Sequence, residues 1–441
     1  MSLSIELLAR GVAAALRGVR ASGLREAAGL SDRDLRGSAH LLACAAHLRA
    51  WQARQRELDW DSLSARWSER ASSSREPTLC GRFDRRDQVA LVEDNARAFE
   101  LREAWCSDAR RSIDLATYYV QGDRTGKSLA ECLVASARLG RRVRFVVDAY
   151  ATQKKQFEGC DPESVMALLA REGVELRRWR DAARPYDANH RKLLSIDGER
   201  LLIGGRNVAD HYAEGSWRDI ELAVTGPSAR AAQPVFDATF AGGERSTAVA
   251  RLDPGALVYA TTPARIESHA YWIYLLECIR ASRSSVCIEN AYLFAHRALI
   301  DAVRSAVERG VRVRLLSNSA ETNDLSYANY RLYSGYRALV EAGAELYVRE
   351  GAGRTLHCKY FVVDGRWVAI GSSNLDYYSP RFCTECNVHA EDERLAAECG
   401  AWFERGLADA SRLDDLSAID ATIADNARVS AWIDRWLKDT Q

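Results

Sequence analysis

The sequence predicts an α/β protein in which one unit of helices and mixed β-strands is built twice, with a helical extension in front. Three observations support the prediction. The pattern His-x-Lys-x4-Asp-x6-Gly-x2-Asn occurs at His190, Lys192, Asp197, Gly204 and Asn207, and returns at His357, Lys359, Asp364, Gly371 and Asn374. The stretches before each copy correspond in order, with a register that shortens only slightly along the chain. Each stretch reads β-α-β-α-β-β, with helical periodicity giving way to strand-like alternation after a Gly. The chain has only 8 His, and its Lys are far outnumbered by its Arg. One such pattern by chance has odds on the order of 10⁻⁵, so a repeated site is the better explanation.

Residues 1–75 are rich in Ala, Leu and Arg and lack alternation, so they read as helix. Ile5, Leu8, Val12, Leu16 and Val19 share one face, with Arg10 and Arg17 opposite. Such a face packs on the protein's own body or lies on a bilayer, and packing is the commoner use. Trp51, Trp60 and Trp67 suit either role. The stretch 68–77, SERASSSREP, reads as a linker, so residues 1–77 form an extension. The first half, 78–245, holds a strand at 111–120, a helix and strand over 127–149, and a shorter pair over 165–179. The second half, 246–410, repeats these at 284–293, 298–319 and 336–349. Helices stop at Gly140 and Gly173 in the first half, and at Gly310 and Gly343 in the second. The junction falls in 241–255, and 411–441 reads as a C-terminal helix with Trp432 and Trp436 one turn apart.

A composition of 47% hydrophobic and 28% charged residues is that of a globular protein. A net charge of zero provides no chain-wide basic field for nucleic acid. No apolar run reaches the ~18 residues of a membrane span, and the N-terminal stretch lacks the order of a secretory signal. A cytoplasmic protein, or one peripheral on a membrane, is expected. The 11 Cys are scattered and read as reduced core residues. Cys383 and Cys386 form a lone CxxC with no second ligand pair, so no metal and no cofactor is expected.

In a strand, positions i and i+2 project from one face, so each motif places an imidazole beside an ammonium group. Two cations side by side make sense around an anion. The Gly-rich turns that follow offer backbone N–H groups, and Asn207 and Asn374 add amides. Two such half-sites facing each other make a pocket for a tetrahedral phosphate. One imidazole can attack phosphorus while the other protonates the leaving alkoxide and then deprotonates the acceptor. Each His needs a carboxylate to fix its tautomer. Asp219 follows His190, and Glu385 follows His357, at nearly the same distance along the chain. Asp197 and Asp364, at strand ends, are expected to hold turns. His40, His47, His211, His269, His296 and His389 lack counterparts and read as surface or core residues.

The paired HxKxxxxDxxxxxxG(S/G)xN motifs resemble those of the phospholipase D superfamily over about residues 85–410. The stretches NHRKLLSIDG, GGRNVADHY, WRDIELAVTGP and GSSNLDYYSPRFCTECNV look most like the bacterial cardiolipin synthase branch, in its class without N-terminal membrane spans. The resemblance implies two fused phospholipase D-like α/β sandwich halves with the active site at their interface. It implies His190 as nucleophile and His357 as general acid/base, a symmetry the residues themselves do not break. Gly205 stands where the second half has Ser372, so the first half lacks one hydroxyl donor. The implied activity is phosphatidyl transfer between phospholipids, such as phosphatidylglycerol and a second lipid, at the cytoplasmic face of the inner membrane. Hydrolysis to phosphatidic acid is the alternative, and a nuclease or an inactive scaffold fits less well. Tyr118, Tyr119, Tyr292, Tyr377 and Tyr378 are candidates to line the pocket. Tyr327, Tyr330, Tyr333 and Tyr336 either form a lipid-facing rim or pack a helix.

Overall fold

The computed structural model describes residues 60–149, 151–153, 161–181, 187–242, 252–263, 269–325 and 329–425. The amphipathic face at 5–19, Trp51, His40, His47, Tyr327, Trp432, Trp436 and the half boundary at 245 and 246 lie outside them. Helix α1 (Trp60–Ala71) precedes the first half. That half runs β1 (Gln88–Val92), α2 (Asn95–Asp108), β2 (Ser112–Thr117), α3 (Arg124–Arg138), β3 (Arg142–Asp148), α4 (Pro162–Arg171), β4 (Glu175–Trp179), β5 (Ala188–Asn189), β6 (Leu193–Ile196), β7 (Arg200–Gly204), α5 (Asp210–Ala213), β8 (Glu221–Thr225) and α6 (Gln233–Ala241). The second runs β9 (Val258–Thr261), α7 (Ala270–Ala281), β10 (Ser285–Asn290), α8 (Arg297–Glu308), β11 (Arg312–Asn318), α9 (Asn329–Glu341), β12 (Glu345–Arg349), β13 (Lys359–Val363), β14 (Trp367–Gly371), α10 (Ser379–Phe382), β15 (Cys383–Glu391), α11 (Glu393–Leu407) and β16 (Ala410–Arg412).

Local chemistry explains the repeated helices. Asp123, Asp161 and Asp392 cap α3, α4 and α11 by accepting backbone N–H groups of the first turn. Gly140, Gly173, Gly310 and Gly343 all have φ between 78° and 93°, the left-handed conformation that ends a helix at little cost. The parallel trios β2-β3-β4 and β10-β11-β12 follow from helical crossovers. The motif strands fold back as antiparallel β6-β7-β8 and β13-β14-β15. The first sheet has the order β1-β8-β7-β6-β2-β3-β4. The second has β16-β12-β11-β10-β13-β14-β15-β5, with β9 also on β15. Thus β5, from the first half, is a strand of the second half's sheet.

Two outer cores and one shared core hold the layers together. In the first half, Leu129, Leu133, Val165 and Leu169 on helices pack against Ile113, Phe145 and Leu194 of the sheet. In the second half, α7, α8 and α9 cover β10 and β11 through Ile273, Leu299 and Leu339. Between the sheets, Leu193, Ile203 and Leu222 of one half share a core with Tyr360, Val362 and Ile370 of the other. The strands are therefore buried on both faces, which is why they read as near-continuous apolar runs.

Two details differ from the sequence reading, and two others follow one of its alternatives or agree with it. Residues 68–71 belong to α1, not to a linker, because Trp67 is buried and stacks on Trp272 at 4.9 Å. Residues 411 and 412 are strand, paired with β12, and the helix described beyond them covers 416–425. Tyr333 and Tyr336 are packed inside the second half, Tyr336 donating to the Asn318 carbonyl at 2.8 Å, so they form no lipid-facing rim. Cys383 and Cys386 are both buried in β15, where odd and even positions face opposite sides.

Asp197 and Asp364 hold their turns. Both have positive φ, 57° and 52°, a conformation Asp tolerates better than most residues. Asp197 accepts from the N–H groups of Arg110, Arg111 and Ser112, and Asp364 from those of Arg283, Ser284 and Ser285. Burial raises both carboxyls, but the backbone donors outweigh it and keep them below the usual range. This stability is present above the unfolded pKa of about 3.9 and is lost as pH falls through the lower folded value. Replacing Asp364 by Ala should cost about 1–3 kcal/mol in chemical denaturation at neutral pH, with a smaller difference from the parent in acid. An Asp364→Ala protein as stable as the parent at pH 7 would refute this role.

Candidate active site

Each motif histidine sits just before a central strand, and its backbone is tied to the other half. The His190 N–H donates to the Thr384 carbonyl at 3.0 Å, where β5 runs parallel to β15. The His357 N–H donates to the Arg218 carbonyl at 2.7 Å, beside a matching bridge between Arg218 and Leu356. The two tethers repeat under an approximate two-fold exchange of the halves.

The side chains cross in the same way. His190 Nδ1 lies 2.9 and 3.0 Å from the two oxygens of Glu385, a residue of the second half. His357 Nδ1 lies 2.7 Å from Asp219 Oδ2, of the first half. Asp219 and Glu385 are therefore the carboxylate partners, each serving the opposite histidine and not the one that precedes it in its own half. With Nδ1 committed, Nε2 is left for chemistry in both rings. Burial pushes both imidazoles well below the ordinary histidine range, and the two nearby lysines push further, so both rings are neutral in the free site at pH 7.

Lys192 and Lys359 are buried, and each ammonium donates to the carbonyl of its own motif histidine, Lys192 at 2.6 Å. Burial pulls the Lys192 ammonium down to about 7, with Glu385 opposing and Lys359 reinforcing. Lys359 is lowered by burial too, against the attraction of Asp219. Burial pushes the Glu385 carboxyl up to about 8, opposed by Lys192 and by the Ser372 hydroxyl. Asp219 is raised for the same reason, opposed by Lys359 and Arg206. The two lysines and two acids thus form one buried electrostatic unit in which every member is pushed toward neutrality by burial and back by its neighbours.

The remaining motif residues frame this unit. Asn207 Nδ2 donates to the Tyr212 hydroxyl at 2.9 Å, and Thr117 donates to its Oδ1. The Asn374 Oδ1 is buried with no hydrogen-bond partner among the described residues. Ser372 donates to Glu385 Oε2. At Gly205 a Cβ would stand 2.4 Å from Asp219 Oδ1 and 2.6 Å from Oδ2, so the absence of a side chain there makes room for the carboxylate. Aromatic edges close the sides: Tyr118 on His190 at 5.0 Å, Tyr212 and Trp217 on His357 at 5.2 and 5.4 Å. Of the tyrosines anticipated as lining, Tyr118 borders the motif residues, while Tyr292 hydrogen-bonds Asp324 and Tyr377 packs on Phe294.

Several residues at the site were not singled out in the sequence, Trp217 beside His357 among them. Arg206 donates to the Asp219 carbonyl and to Asn95, and Arg102 pairs with Glu221 behind it. Tyr212 reaches His357. A signal for Tyr212 existed in its place shortly after the motif Asn. Arg206 had only its position between Gly205 and Asn207. Among the described residues no group of three or more His, Cys, Asp or Glu could hold a metal ion. No described helix is long and apolar enough to cross a membrane.

A tetrahedral anion between the two rings would meet two ammonium groups, two Asn side chains and two Nε2 atoms, which is equipment for in-line displacement at phosphorus. The family model for the phospholipase D-like domain of cardiolipin synthase matches residues 106–236 and 275–407, one block in each half. Cardiolipin synthase A of Pseudomonas aeruginosa is 30% identical over 354 residues, covering 76% of this chain and 69% of that protein. The cardiolipin synthase of Geobacillus kaustophilus is 28% identical over 323 residues, covering 68% and 62%. In fold, the chain is similar to the phosphatidylserine synthase of Haemophilus influenzae, with a TM-score of 0.65 at 13% identity over 83% of this chain and 98% of that one. A polyphosphate kinase of Porphyromonas gingivalis superimposes with a TM-score of 0.53 at 16% identity, over 78% and 51%. The chain belongs to the cardiolipin synthase family of phospholipase D-like phosphodiester transferases, which acts on phospholipids.

Proposed function

We propose that this enzyme moves a phosphatidyl group from one phospholipid to a headgroup hydroxyl of another, phosphatidylglycerol serving as donor or acceptor. One observation carries the reading. Two buried imidazoles, each with Nδ1 held by a carboxylate from the opposite half, lie within electrostatic reach of both buried motif lysines. His190 Nε2 attacks phosphorus and the P–O bond to the leaving alcohol breaks. His357, protonated when the substrate is bound, gives its proton to that oxygen. The acceptor hydroxyl then returns a proton to His357 and attacks phosphorus, and the P–N bond to His190 breaks. Lys192, Lys359, Asn207 and Asn374 stabilise the charge on the non-bridging oxygens, while Asp219 and Glu385 hold the rings. The enzyme works as a peripheral protein on the cytoplasmic face of the inner membrane, where donor and acceptor share one leaflet.

His190→Asn and His357→Asn should each lower turnover of phosphatidylglycerol vesicles by more than about 10³-fold while the melting transition stays cooperative. Cardiolipin as product supports transfer, and phosphatidic acid alone would replace it with hydrolysis. Activity should survive EDTA, since the lysines and amides provide the charge stabilisation, and a strict metal requirement would contradict the mechanism.

The anion site should also show a pH signature. Lys192 is cationic below about 7 and loses its proton above it. Affinity for tungstate, a tetrahedral oxyanion of constant charge near neutrality, should therefore fall by up to about tenfold per pH unit as pH rises past 7. A flat calorimetric affinity from pH 6 to 8.5 would show that Lys192 does not titrate there.

A further inference from the structure

The His, Lys, Asp, Gly and Asn of the two motifs match, yet the two histidines do not have the same surroundings at Nε2. Tyr212, on the short helix α5, places its hydroxyl 2.9 Å from Asn207 Nδ2 and 3.4 Å from His357 Nε2. It is also hydrogen-bonded to the Tyr119 hydroxyl, itself 2.9 Å from His211 Nε2. A hydroxyl has one proton and two acceptor positions. The Asn207 amide can only donate from Nδ2, which occupies one acceptor position. His357 Nδ1 carries its proton toward Asp219, so Nε2 can only accept. The bond to Tyr119 pushes the Tyr212 phenol up, as when Tyr212 is the donor, so its one proton has two acceptors to turn between, the Tyr119 oxygen and Nε2. In the second half, the same offset from the motif Asn is occupied by Ser379 and not by a tyrosine, and Asn374 Oδ1 lacks a partner among the described residues.

The contact to Nε2 is longer than the ~2.8 Å of an ordinary hydroxyl hydrogen bond. No atom fits between the hydroxyl and Nε2, but an oxygen beside them can stand about 2.8 Å from each. An alcohol oxygen exchanging a proton with Nε2 must come within about 2.6–3.2 Å of it. That oxygen would also lie within reach of the Tyr212 hydroxyl.

We propose that Tyr212 is a catalytic hydrogen-bond donor to the alcohol oxygen that leaves or enters at His357, its proton turning to that oxygen when it arrives. This rests on the phosphodiester chemistry proposed above and extends it. As the P–O bond breaks, the departing oxygen receives the His357 proton and the Tyr212 hydrogen bond together. In the second step, Tyr212 holds the acceptor oxygen while His357 takes its proton and a lone pair attacks phosphorus. Burial keeps the phenol protonated well above its usual range, so it remains a donor at working pH. The edges of Tyr212 and Trp217 against His357 give this side of the site an apolar wall.

The test compares two leaving groups. A phosphatidylglycerol alcohol leaves as a strong base and needs help, whereas p-nitrophenolate leaves with little. Tyr212→Phe keeps the ring and removes the donor. Single-turnover cleavage of phosphatidylglycerol vesicles should fall by roughly 10²-fold, as when one oxyanion donor is lost. Cleavage of bis(p-nitrophenyl) phosphate by the same preparation should fall by less than about threefold. Because both rates are taken on one sample, their ratio does not depend on the fraction folded. Equal losses on the two substrates would reduce Tyr212 to a structural role, and an unchanged rate on phosphatidylglycerol would also overturn the proposal. The unsubstituted enzyme on the same vesicles tests the lipid-transfer reading separately.

Discussion

The site depends on a crossed pairing. Each imidazole belongs to one half and the carboxylate that orients it to the other, His190 with Glu385 and His357 with Asp219. The backbone is crossed as well, through the N–H of each histidine and the short strand β5 added to the far sheet. Neither half alone would satisfy its own charges. Separated, each half would leave its histidine and its carboxylate without partners. The docking of the two sheets through their shared apolar core and the assembly of the reactive groups are therefore one event. Duplication here provides more than two copies of a motif, because the second copy completes the first.

Charge balance explains how so many ionisable groups can be buried together. Lys192 and Glu385 sum to zero as an ion pair or as a neutral pair, and Lys359 offsets Asp219, so with both imidazoles neutral the formal sum is zero. Burial pushes every member toward its neutral form, and only the mutual attraction holds the charges in place. A phosphodiester adds one negative charge to this set, and taking up one proton restores neutrality. In the proposed mechanism the general acid carries that proton before the leaving alcohol departs. The charge needed for chemistry thus arrives with the substrate, while the free enzyme is spared a buried unpaired cation.

Much of this was legible in the sequence because it depends on local periodicity. The helix-Gly-strand units, the His-x-Lys pairs, the turn-holding Asp197 and Asp364 and the choice of Asp219 and Glu385 all follow from spacing within one half. What spacing could not reveal was which carboxylate serves which histidine, since the nearly equal separations suit a partner in the same half just as well. That assignment is made by the packing of two sheets. Arg206 and Arg102 were hidden for a related reason: a buried guanidinium is recognised by its partners Asn95 and Glu221, and these come from distant stretches. Trp67 and the tyrosines of α9 show the opposite limit. Their aromatic spacing fitted a lipid-facing surface as well as a core, and the depth of the apolar layer beneath them decided for the core.

The two halves have also diverged where they meet, and the changes come in matched pairs. In the first half the acid is the shorter Asp219, and its carboxylate stands where a side chain at position 205 would be, so that position is Gly. In the second half the acid is the longer Glu385, and Ser372 stands beside it as a donor to Oε2. Swapping one member without the other would produce a collision on one side or remove the hydroxyl donor from the acid on the other. Tyr212 adds a third difference, by giving His357 a neighbouring hydroxyl at Nε2. The proposed two-step displacement asks different things of its two histidines: an unencumbered lone pair on one, and a proton handed to and taken from an oxygen on the other. The motifs preserve the groups common to both tasks, and the residues between and after them make the two imidazoles unequal.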